Sequence, residues 1–519
     1  MKNILKYSLL ILACIGFNSC QNFDELSENP NNPVQVPASL VFTKVCSDLN
    51  ENPWSGAHQY AQYWCINYEY YGNQNYNWTS TGLNYGTIND ILKMEEEAIR
   101  GGADAKLNPY AALGKFFRAY FYVNMSQRVG DLPLSEAFKI DQKILTPKYD
   151  SQKDIFVQAL KWLDESNNDL ASLIAAGDRT LSGDIYFGND LSKWQRAVNA
   201  YRLRVLISLS KRESEVDIKS QFAQILGNST KYPLFTGNGD NLAFTYNNVV
   251  NKYPTNPDNF GFNATRYNMA ETYIKTLTDL KDPRVFLVAE PADSMLRTGL
   301  KPSDFGAYLG APSGESLADM SYKATLDLYS YINRSRYYSN YTAEKNIMIG
   351  YIEQCFNIAE GLNRGWASGD AADYHQKGIK ASMEFYDLKS GLNTFYYLPR
   401  GKKLGEYASF QVDVNVDNYL NQASVKYKGN NVDGLNQILT QKYLGFFQHS
   451  GWEAFYNQRR TGIPVFNVGP GNTNGQRIPQ RWQYPNSERT VNTKNWEDAL
   501  AKQFGNKNDD INSALWIVK

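Results

Sequence analysis

Apolar residues in much of this chain recur with the spacing of one helix face. Positions i, i+3, i+4, i+7 and i+8 of one stretch are Leu113, Phe116, Phe117, Tyr120 and Phe121. This spacing places the side chains on one side of an α-helix. The stretches 155–163 and 349–359 repeat it. The pattern predicts a mainly α-helical protein.

The predicted helices come in pairs separated by Gly, Pro or Asn. The four pairs are 81–100 with 108–127, 151–175 with 190–212, 344–362 with 369–387, and 433–447 with 450–459. Stacked helix pairs are typical of tetratricopeptide-like folds. Irregular insertions at 213–343 and 388–432 interrupt the pairs. We expect them to form the ligand-facing side, because loops of this length are usually functional.

Composition excludes one class of partner. The 519 residues contain 53 Lys and Arg against 53 Asp and Glu. A balanced charge gives no overall field that would recruit nucleic acid. Aromatic residues make up 14% of the chain, including 37 Tyr. Such an excess suits surfaces that bind neutral polar ligands, and it also suits ordinary packing.

The N-terminus has the pattern of an export signal. Lys2 and Lys6 precede an apolar run at 7–17, and Ser19 and Cys20 follow it. The run is too short to span a membrane as a helix, but it fits a signal peptide. Cys20 after a small residue has the form of a bacterial lipobox, in which the cysteine is acylated. The alternative is a plain signal peptide that is cut elsewhere.

These observations predict the division of the chain. A lipoprotein signal peptide occupies 1–19, a tether with Cys20 as its lipidation site occupies 20–37, and one domain occupies 38–519. Acyl chains on Cys20 would anchor the protein stably in a membrane. The N-terminal pattern by itself predicts an exported protein that is anchored in a membrane by its acyl chains.

Cysteines and histidines give little sign of catalysis. Cys46, Cys65 and Cys355 form no disulfide framework, although Cys46 and Cys65 could pair. The histidines are His58, His375 and His449, which are far apart and are each predicted to lie in a helix. The sequence lacks HExxH, GxSxG, GxxxxGK[ST] and a GxGxxG after a strand. We therefore predict no enzymatic activity and no cofactor.

One short stretch resembles a calcium loop. Asp413, Asn415 and Asp417 stand at positions 1, 3 and 5 of an EF-hand-like pattern. Asn418 replaces the usual Gly at position 6, and Ser424 replaces the bidentate Glu at position 12. The alternation equally fits a strand with one polar face, so we predict no metal site.

The strongest binding signal is the stretch NYEYYGNQNYNW at 67–78. It contains five aromatic residues and four Asn, and no Lys or Arg occurs at 45–92. A sugar stacks its C–H face on aromatic rings and pairs its hydroxyls with amides. The predicted ligand-binding residues are Trp64, Tyr70, Tyr71, Asn73, Asn75 and Tyr76. The alternative is packing: Trp64, Tyr68 and Tyr71 as one helix stripe, with Trp78 capping the next helix.

A second aromatic cluster, YSYINRSRYYSNY, lies at 329–341. Its arginines could contact an anionic group. The secondary candidates are Arg334, Arg336, Tyr337 and Tyr338, and the alternative is a packed loop or a protein contact.

Five motifs are spread along the chain: RVGDLPLSEAF (128–138), FNIAEGLNRGWASGDAADYHQKGIKAS (356–382), QKYL (441–444), WEAFYNQRRTGIP (452–464) and RIPQRWQYPNSE (477–488). Together they resemble the SusD/RagB family of Bacteroidetes outer-membrane nutrient-binding lipoproteins, in particular its SusD-like subgroup. The resemblance implies an outer-membrane location, exposed at the cell surface. It also implies a tetratricopeptide-rich fold, buried ion pairs at Arg459 and Arg460, and a turn at Gly130–Asp131. Asp24 and Glu25 resemble the family's surface-export signal.

The resemblance also implies a partner and a function. Family members sit on a TonB-dependent transporter barrel and capture nutrients, often oligosaccharides and sometimes peptides. We expect a glycan-binding protein that delivers its ligand to such a barrel. The alternatives are a peptide-binding member, a surface glycosidase with two carboxylates about 5–10 Å apart, and a purely structural partner of the barrel.

Overall fold

The computed structural model describes residues 36–519. The signal peptide, Cys20, Asp24 and Glu25 lie outside these residues, as does most of the tether. None of the described helices is long and apolar enough to cross a membrane.

The described residues form twenty α-helices and six short strands. Helices in the first half are α1 (Ala38–Asp48), α2 (Gly56–Tyr60), α3 (Tyr85–Arg100), α4 (Pro109–Val129), α5 (Gln152–Ala175), α6 (Leu191–Ser208), α7 (Ile218–Gly227), α8 (Phe260–Asn263), α9 (Glu271–Asp279) and α10 (Val285–Val288). Helices in the second half are α11 (Asp293–Arg297), α12 (Leu317–Thr325), α13 (Arg334–Tyr337), α14 (Tyr351–Asn363), α15 (Ala371–Phe385), α16 (Val416–Asn421), α17 (Val432–Gly445), α18 (Glu453–Thr461), α19 (Glu488–Val491) and α20 (Thr493–Phe504). The strands are β1 (Trp64–Ile66), β2 (Leu242–Phe244), β3 (Tyr267–Met269), β4 (Asn346–Ile349), β5 (Gly391–Tyr397) and β6 (Ala408–Val414).

Local sequence sets the ends of the long helices. Asn108 caps α4 by accepting a hydrogen bond from the Ala111 amide, and Pro109 occupies the first helical position. Ser151 caps α5 through the Asp154 amide. Such caps satisfy backbone groups that a helix end leaves unpaired. Gly130, at φ 102°, ends α4 in a conformation that glycine adopts readily.

The long helices pack side by side. α1 and α3 pack together, followed by α4, α5 and α6 in chain order, and α14 joins α6 to α15 and α17. The hydrophobic core cluster extends from Ala38 to Val518. The fourth predicted pair is different: α17 packs on α14 and α15, whereas α18 packs against α2 and α6. The spacing of apolar residues therefore predicted where α17 and α18 lie along the chain, but it did not predict which helices they pack against.

The predicted helix at 344–362 is wrong over residues 344–350. Residues 346–349 form β4, which pairs antiparallel with β2, and α14 begins only at Tyr351. All four residues of β4 are buried. A short apolar run that is buried on both faces has no periodicity that separates strand from helix.

Each of the three strand pairs is antiparallel: β1 with β3, β2 with β4, and β5 with β6. The β1–β3 pair places Ile66 opposite Tyr267. The β5–β6 hairpin, which lies in the predicted insertion 388–432, places Leu392 opposite Asp413. The 213–343 insertion contains helices of four to ten residues, as its weak periodicity predicts.

The motif arginines Arg459 and Arg460 differ. Arg460 donates to the two carboxylate oxygens of Glu360 at 2.5 and 2.9 Å, so its predicted buried ion pair is present. Burial alone would raise the pKa of Glu360, but Arg460 and its neighbours Lys442 and Arg364 hold that pKa at about 2. Arg459 instead donates to the carbonyls of Gln127 and Gln480, which corrects the prediction of a second ion pair.

Candidate ligand-binding site

The aromatic stretch 67–78 divides into exposed and buried residues. Tyr68 and Tyr70 are 46% and 83% exposed, and Tyr71 is half-buried. Residues Glu69–Tyr71 form one 3₁₀ turn, and Gly72, at φ 129°, ends it. We call Tyr68, Tyr70 and Tyr71 the tyrosine ledge. Its rings pack on one another, with the Tyr70 and Tyr71 centroids 5.2 Å apart and edge to face.

Two strands hold the beginning of the ledge. β1 leads into it and pairs with β3, and the Asn67 amide donates to the Arg266 carbonyl at 3.0 Å. The Asn67 side chain is buried and donates to the Thr265 carbonyl and the Asn268 side chain. These backbone and side-chain bonds fix where the exposed tyrosines begin.

Buried amides hold the end of the ledge. Gln74 accepts a hydrogen bond from the Ile66 amide at 2.8 Å and donates to the Ile66 carbonyl at 2.9 Å. Asn472 donates to the Gln74 carbonyl, and its own carbonyl accepts from the Tyr76 amide. The exposed turn therefore rises from a loop that hydrogen bonds hold at both ends.

Two of the predicted ligand residues are core residues, which corrects the predicted site. Trp64 is 3% exposed and packs on Tyr267 at 4.6 Å between ring centroids. Tyr76 is 1% exposed, and its hydroxyl donates to the Tyr60 carbonyl and accepts from Gln62. Because neither ring faces solvent, neither can stack on a ligand. Burial also raises the pKa of Tyr76.

The packing alternative for this stretch holds for Trp78 and fails for Tyr68. Trp78 is 7% exposed and stacks on Trp482, with centroids 3.9 Å apart. Tyr68 is part of the exposed ledge. The proposed helix stripe of Trp64, Tyr68 and Tyr71 is absent because Trp64 lies on β1 and Tyr71 in the 3₁₀ turn.

The two predicted amides, Asn73 and Asn75, are half-buried beside the ledge. Asn73 accepts a hydrogen bond from the Asn75 amide at 3.0 Å, which leaves its own NH₂ group free to donate. The Asn75 side chain makes no hydrogen bond within the described part of the chain. Both amides can therefore pair with a ligand hydroxyl.

Sequence reasoning missed Arg266. The Arg266 guanidinium lies over the Tyr68 ring, 4.5 Å from its centroid. Within residues 36–519 it has no carboxylate partner within salt-bridge distance. The absence of Lys and Arg at 45–92 had indicated a site without cations, but β3 brings one from a distant segment. One signal for Arg266 was available in the sequence: it directly precedes the short segment that forms β3.

Arg334, Tyr337 and Tyr338 of the secondary cluster are buried and Arg336 is half-buried, which corrects these four predicted residues. Arg334 donates to Glu290 at 2.6 and 2.8 Å, and Arg336 pairs with Glu344 at 2.9 Å. Tyr337 and Tyr338 are both 0% exposed. Burial raises the pKa of Glu290, while Arg334 opposes that shift. These residues are structural, since their charges are paired and their rings are packed.

The remaining sequence candidates also find structural places. Asp413 lies on β6, as the polar-strand alternative predicts, whereas Asn415 caps α16 and Asp417 lies within that helix. Residues 36–519 contain no group of three or more His, Cys, Asp or Glu placed to hold a metal ion. Cys46, Cys65 and Cys355 are free and buried, so the Cys46–Cys65 bridge is absent. His449 lies in a turn after α17 and not in a helix.

The described residues thus form a mainly helical fold that presents an exposed aromatic ledge. A SusD-like family model, described as starch-binding and associating with the outer membrane, matches residues 30–485. The chain therefore belongs to the SusD-like family, whose members are non-catalytic binding proteins. This membership leaves the glycosidase alternative without support.

Solved structures agree with this assignment. A SusD homologue from Bacteroides fragilis NCTC 9343 is 29% identical, covers 93% of this chain and 100% of its own, and has a TM-score of 0.79. An outer-membrane protein from Bacteroides vulgatus ATCC 8482, named for a role in nutrient binding, is 29% identical with the same coverage and a TM-score of 0.77. A chitin-binding SusD homologue from Flavobacterium johnsoniae shares the fold at 19% identity, with coverage of 94% and 96% and a TM-score of 0.67. Comparison with curated proteins gave no significant match.

Proposed function

We propose that this SusD-like protein captures a glycan on the tyrosine ledge and delivers it to a TonB-dependent outer-membrane transporter. The observation that carries the proposal is the 83% exposure of Tyr70 on a turn whose two ends are fixed by buried amides. A contiguous group of exposed aromatic rings marks an interaction surface more often than a single exposed ring does. The starch-binding description of the family and a chitin-binding relative supply the ligand class.

The ledge would bind a sugar through two kinds of contact. The C–H face of a pyranose ring would stack on Tyr70 and Tyr71, while Asn73 and Asn75 pair with its hydroxyls. Amides suit hydroxyls because both donate and accept hydrogen bonds.

Arg266 supports a second candidate function. An unpaired guanidinium beside an aromatic ledge can hold a carboxylate with two parallel hydrogen bonds. A peptide C-terminus carries that group, as does an acidic sugar. The peptide-binding alternative therefore relies on Arg266 and no longer on Arg334 or Arg336, whose charges are paired within the protein.

Calorimetry on the soluble Cys20→Ser chain tests the ligand class. The probes are maltooligosaccharides, chitooligosaccharides, a wider glycan array and a peptide library. We expect Tyr70→Ala with Tyr71→Ala to weaken glycan binding at least tenfold, about 1.4 kcal/mol. Tyr396→Ala is the matched control, since Tyr396 is 52% exposed on the β5–β6 hairpin. Tight peptide binding with no glycan binding would replace the glycan proposal.

The location and the partner are part of the same proposal. We propose that Cys20 carries the lipid anchor, that residues 38–519 form one domain with tetratricopeptide-like helix packing, and that the protein faces the cell exterior. Cys20→Ser should release the protein from membranes, and continued membrane association of that variant would contradict the anchor. Co-purification of a transporter barrel with the wild-type lipoprotein tests the partner.

A further inference from the structure

A second concavity lies at the far end of α9 from the tyrosine ledge. β3, which holds the ledge, immediately precedes α9, and Lys281 and Pro283, just after α9, border the concavity. The helix has nine residues and is about 14 Å long. We call this concavity, which lies between the end of α9 and the β6–α16 junction, the hairpin pocket. Its volume is about 240 Å³.

The apolar part of the hairpin pocket's lining, which we call its floor, consists of packed side chains. Pro283, Phe286, Phe305 and Val412 line it. Phe286 is 1% exposed and packs on Phe305, with centroids 4.9 Å apart, and on Phe395 at 5.3 Å. Phe305 is only half-buried, so part of its ring faces the cavity. A fixed aromatic floor is a surface on which an apolar ligand face can lie.

The rim is polar and its groups are largely unused by the protein. Lys281, Asp413, Asn415, Asn418 and Gln422 line it. The Lys281 ammonium lies 5.4 Å from the centroid of the Phe305 ring. Within residues 36–519, Lys281 and Asp413 make no salt bridge, and the side chains of Asp413 and Asn418 make no hydrogen bond.

The side-chain amides of Asn415 and Gln422 each keep one group that makes no hydrogen bond within the described residues. Asn415 uses its carbonyl oxygen to cap α16, which leaves its NH₂ group to donate. Gln422 donates to the Leu280 carbonyl, which leaves its side-chain oxygen to accept. The rim therefore offers both hydrogen-bond donors and acceptors. The charges of Lys281 and Asp413 cancel, so the rim has no net charge.

We infer that the hairpin pocket is a second glycan subsite that takes a single neutral pyranose ring. Its volume is below the ~300–1,000 Å³ of pockets that take drug-sized ligands, so its size suits one ring. The ring would cover Phe305 and Val412 with its C–H face, and its hydroxyls would pair with the rim. This inference rests on the proposed function, because the two sites would bind separate units of one glycan chain.

Two sites on one rigid body make binding depend on ligand length. A chain long enough to reach both sites gains affinity from the second contact, which is then intramolecular. A short oligosaccharide occupies the ledge alone. The hairpin pocket should therefore add affinity for long glycans without changing the affinity for short ones.

Lys281→Gly with Asn418→Ala tests the hairpin pocket with little risk to the fold. Lys281 has φ 53°, a left-handed conformation that glycine adopts readily, and Asn418 is exposed on α16. Lys143→Gly is the matched control, because Lys143 is an exposed lysine at φ 60° outside the pocket. The thermal midpoint should stay within a few degrees for both.

The measurement is a length series of the oligosaccharide type that binds best in the ledge experiment, from dimer to octamer, titrated by calorimetry. We expect the pocket variant to lose about three- to tenfold in affinity for the octamer and nothing for the dimer, with Lys143→Gly equal to wild type. If glycans bind the ledge but the pocket variant equals wild type at every length, the second subsite is wrong and the proposed function stands. If no glycan binds the wild-type protein, both are wrong.

Discussion

The stretches 67–78 and 329–341 are both rich in tyrosine, but they have opposite places in the structure. Both also contain Asn, and both were candidate binding surfaces. The first exposes Tyr70 at 83%, whereas the second buries Tyr337 and Tyr338 completely. The arginines differ as well: Arg266 beside the ledge is unpaired within the described residues, and Arg334 is paired with Glu290. Aromatic and polar composition alone does not separate a binding surface from a packed loop.

The sharpest test of this contrast is the removal of each arginine. Arg334→Ala leaves the Glu290 carboxylate, 1% exposed, buried without its partner. We expect a loss of about 3–5 kcal/mol in unfolding free energy, measured by chemical denaturation. Arg266→Ala should change stability by only about 0.5 kcal/mol, as is usual for surface positions. Equal losses in the two variants would contradict the contrast, and Arg334→Met with Glu290→Gln should recover part of the loss.

Acid should destabilise the fold through two buried histidines, His449 and His58. Burial lowers the pKa of His449 to about 3, and the nearby Arg336 adds to that shift. Burial also lowers the pKa of His58 to about 3. The unfolded chain takes up these protons below about pH 6.5, so the stability is fully present above that pH and is lost as pH falls.

At pH 5 the loss is about 2 kcal/mol for each of His58 and His449. Asp131 acts in the opposite direction, because burial raises its pKa to about 6 and its protonated form favours the folded state. Denaturation curves between pH 7.5 and 5 measure the net effect, and His58→Leu should reduce the slope. A variant with an unchanged slope would show that His58 binds its proton equally well in the folded and unfolded protein. Glycan affinity should stay constant while the protein remains folded.

Arg266 offers a smaller test, this time on binding. Arg266→Ala removes the cation that lies over Tyr68, a contact of about 0.5–1 kcal/mol at an exposed site. We expect glycan affinity to fall about two- to fivefold by calorimetry. A much larger loss that increases at low salt would indicate an anionic ligand, such as a peptide carboxylate or an acidic sugar. An unchanged affinity would remove Arg266 from the site.

The smallest effects come from single tyrosine hydroxyls. The Tyr76 hydroxyl makes two buried hydrogen bonds, so Tyr76→Phe should cost about 1 kcal/mol of stability and leave glycan affinity unchanged. The Tyr337 hydroxyl is buried beside the Glu344 carboxylate and opposes the rise that burial causes in the pKa of Glu344, so Tyr337→Phe should also cost about 1 kcal/mol of stability. Thermal denaturation of the two variants measures both losses. A loss of glycan affinity in Tyr76→Phe would return Tyr76 to the site.

Helix positions were predictable because they depend on nearest neighbours along the chain. Ser151 caps α5 and the apolar face of 113–121 lies in α4, as the sequence indicates. The exceptions are informative. β4 has no periodicity because it is buried on both sides, and α18 packs on α2 and α6, which are far away in sequence. Local spacing carries no information about such partners.

The sequence by itself determined the mainly helical character and the family motifs, and it located the stretch that contains the ledge. Only the tertiary structure decided which of its rings face solvent, because burial depends on segments that meet in space. Gln62 and Tyr60 bond Tyr76 into the core, whereas β3 brings Arg266 to the exposed Tyr68. The fold likewise places the apparent calcium loop on one side of the hairpin pocket. The other side is formed by the residues that follow α9, which are distant in sequence.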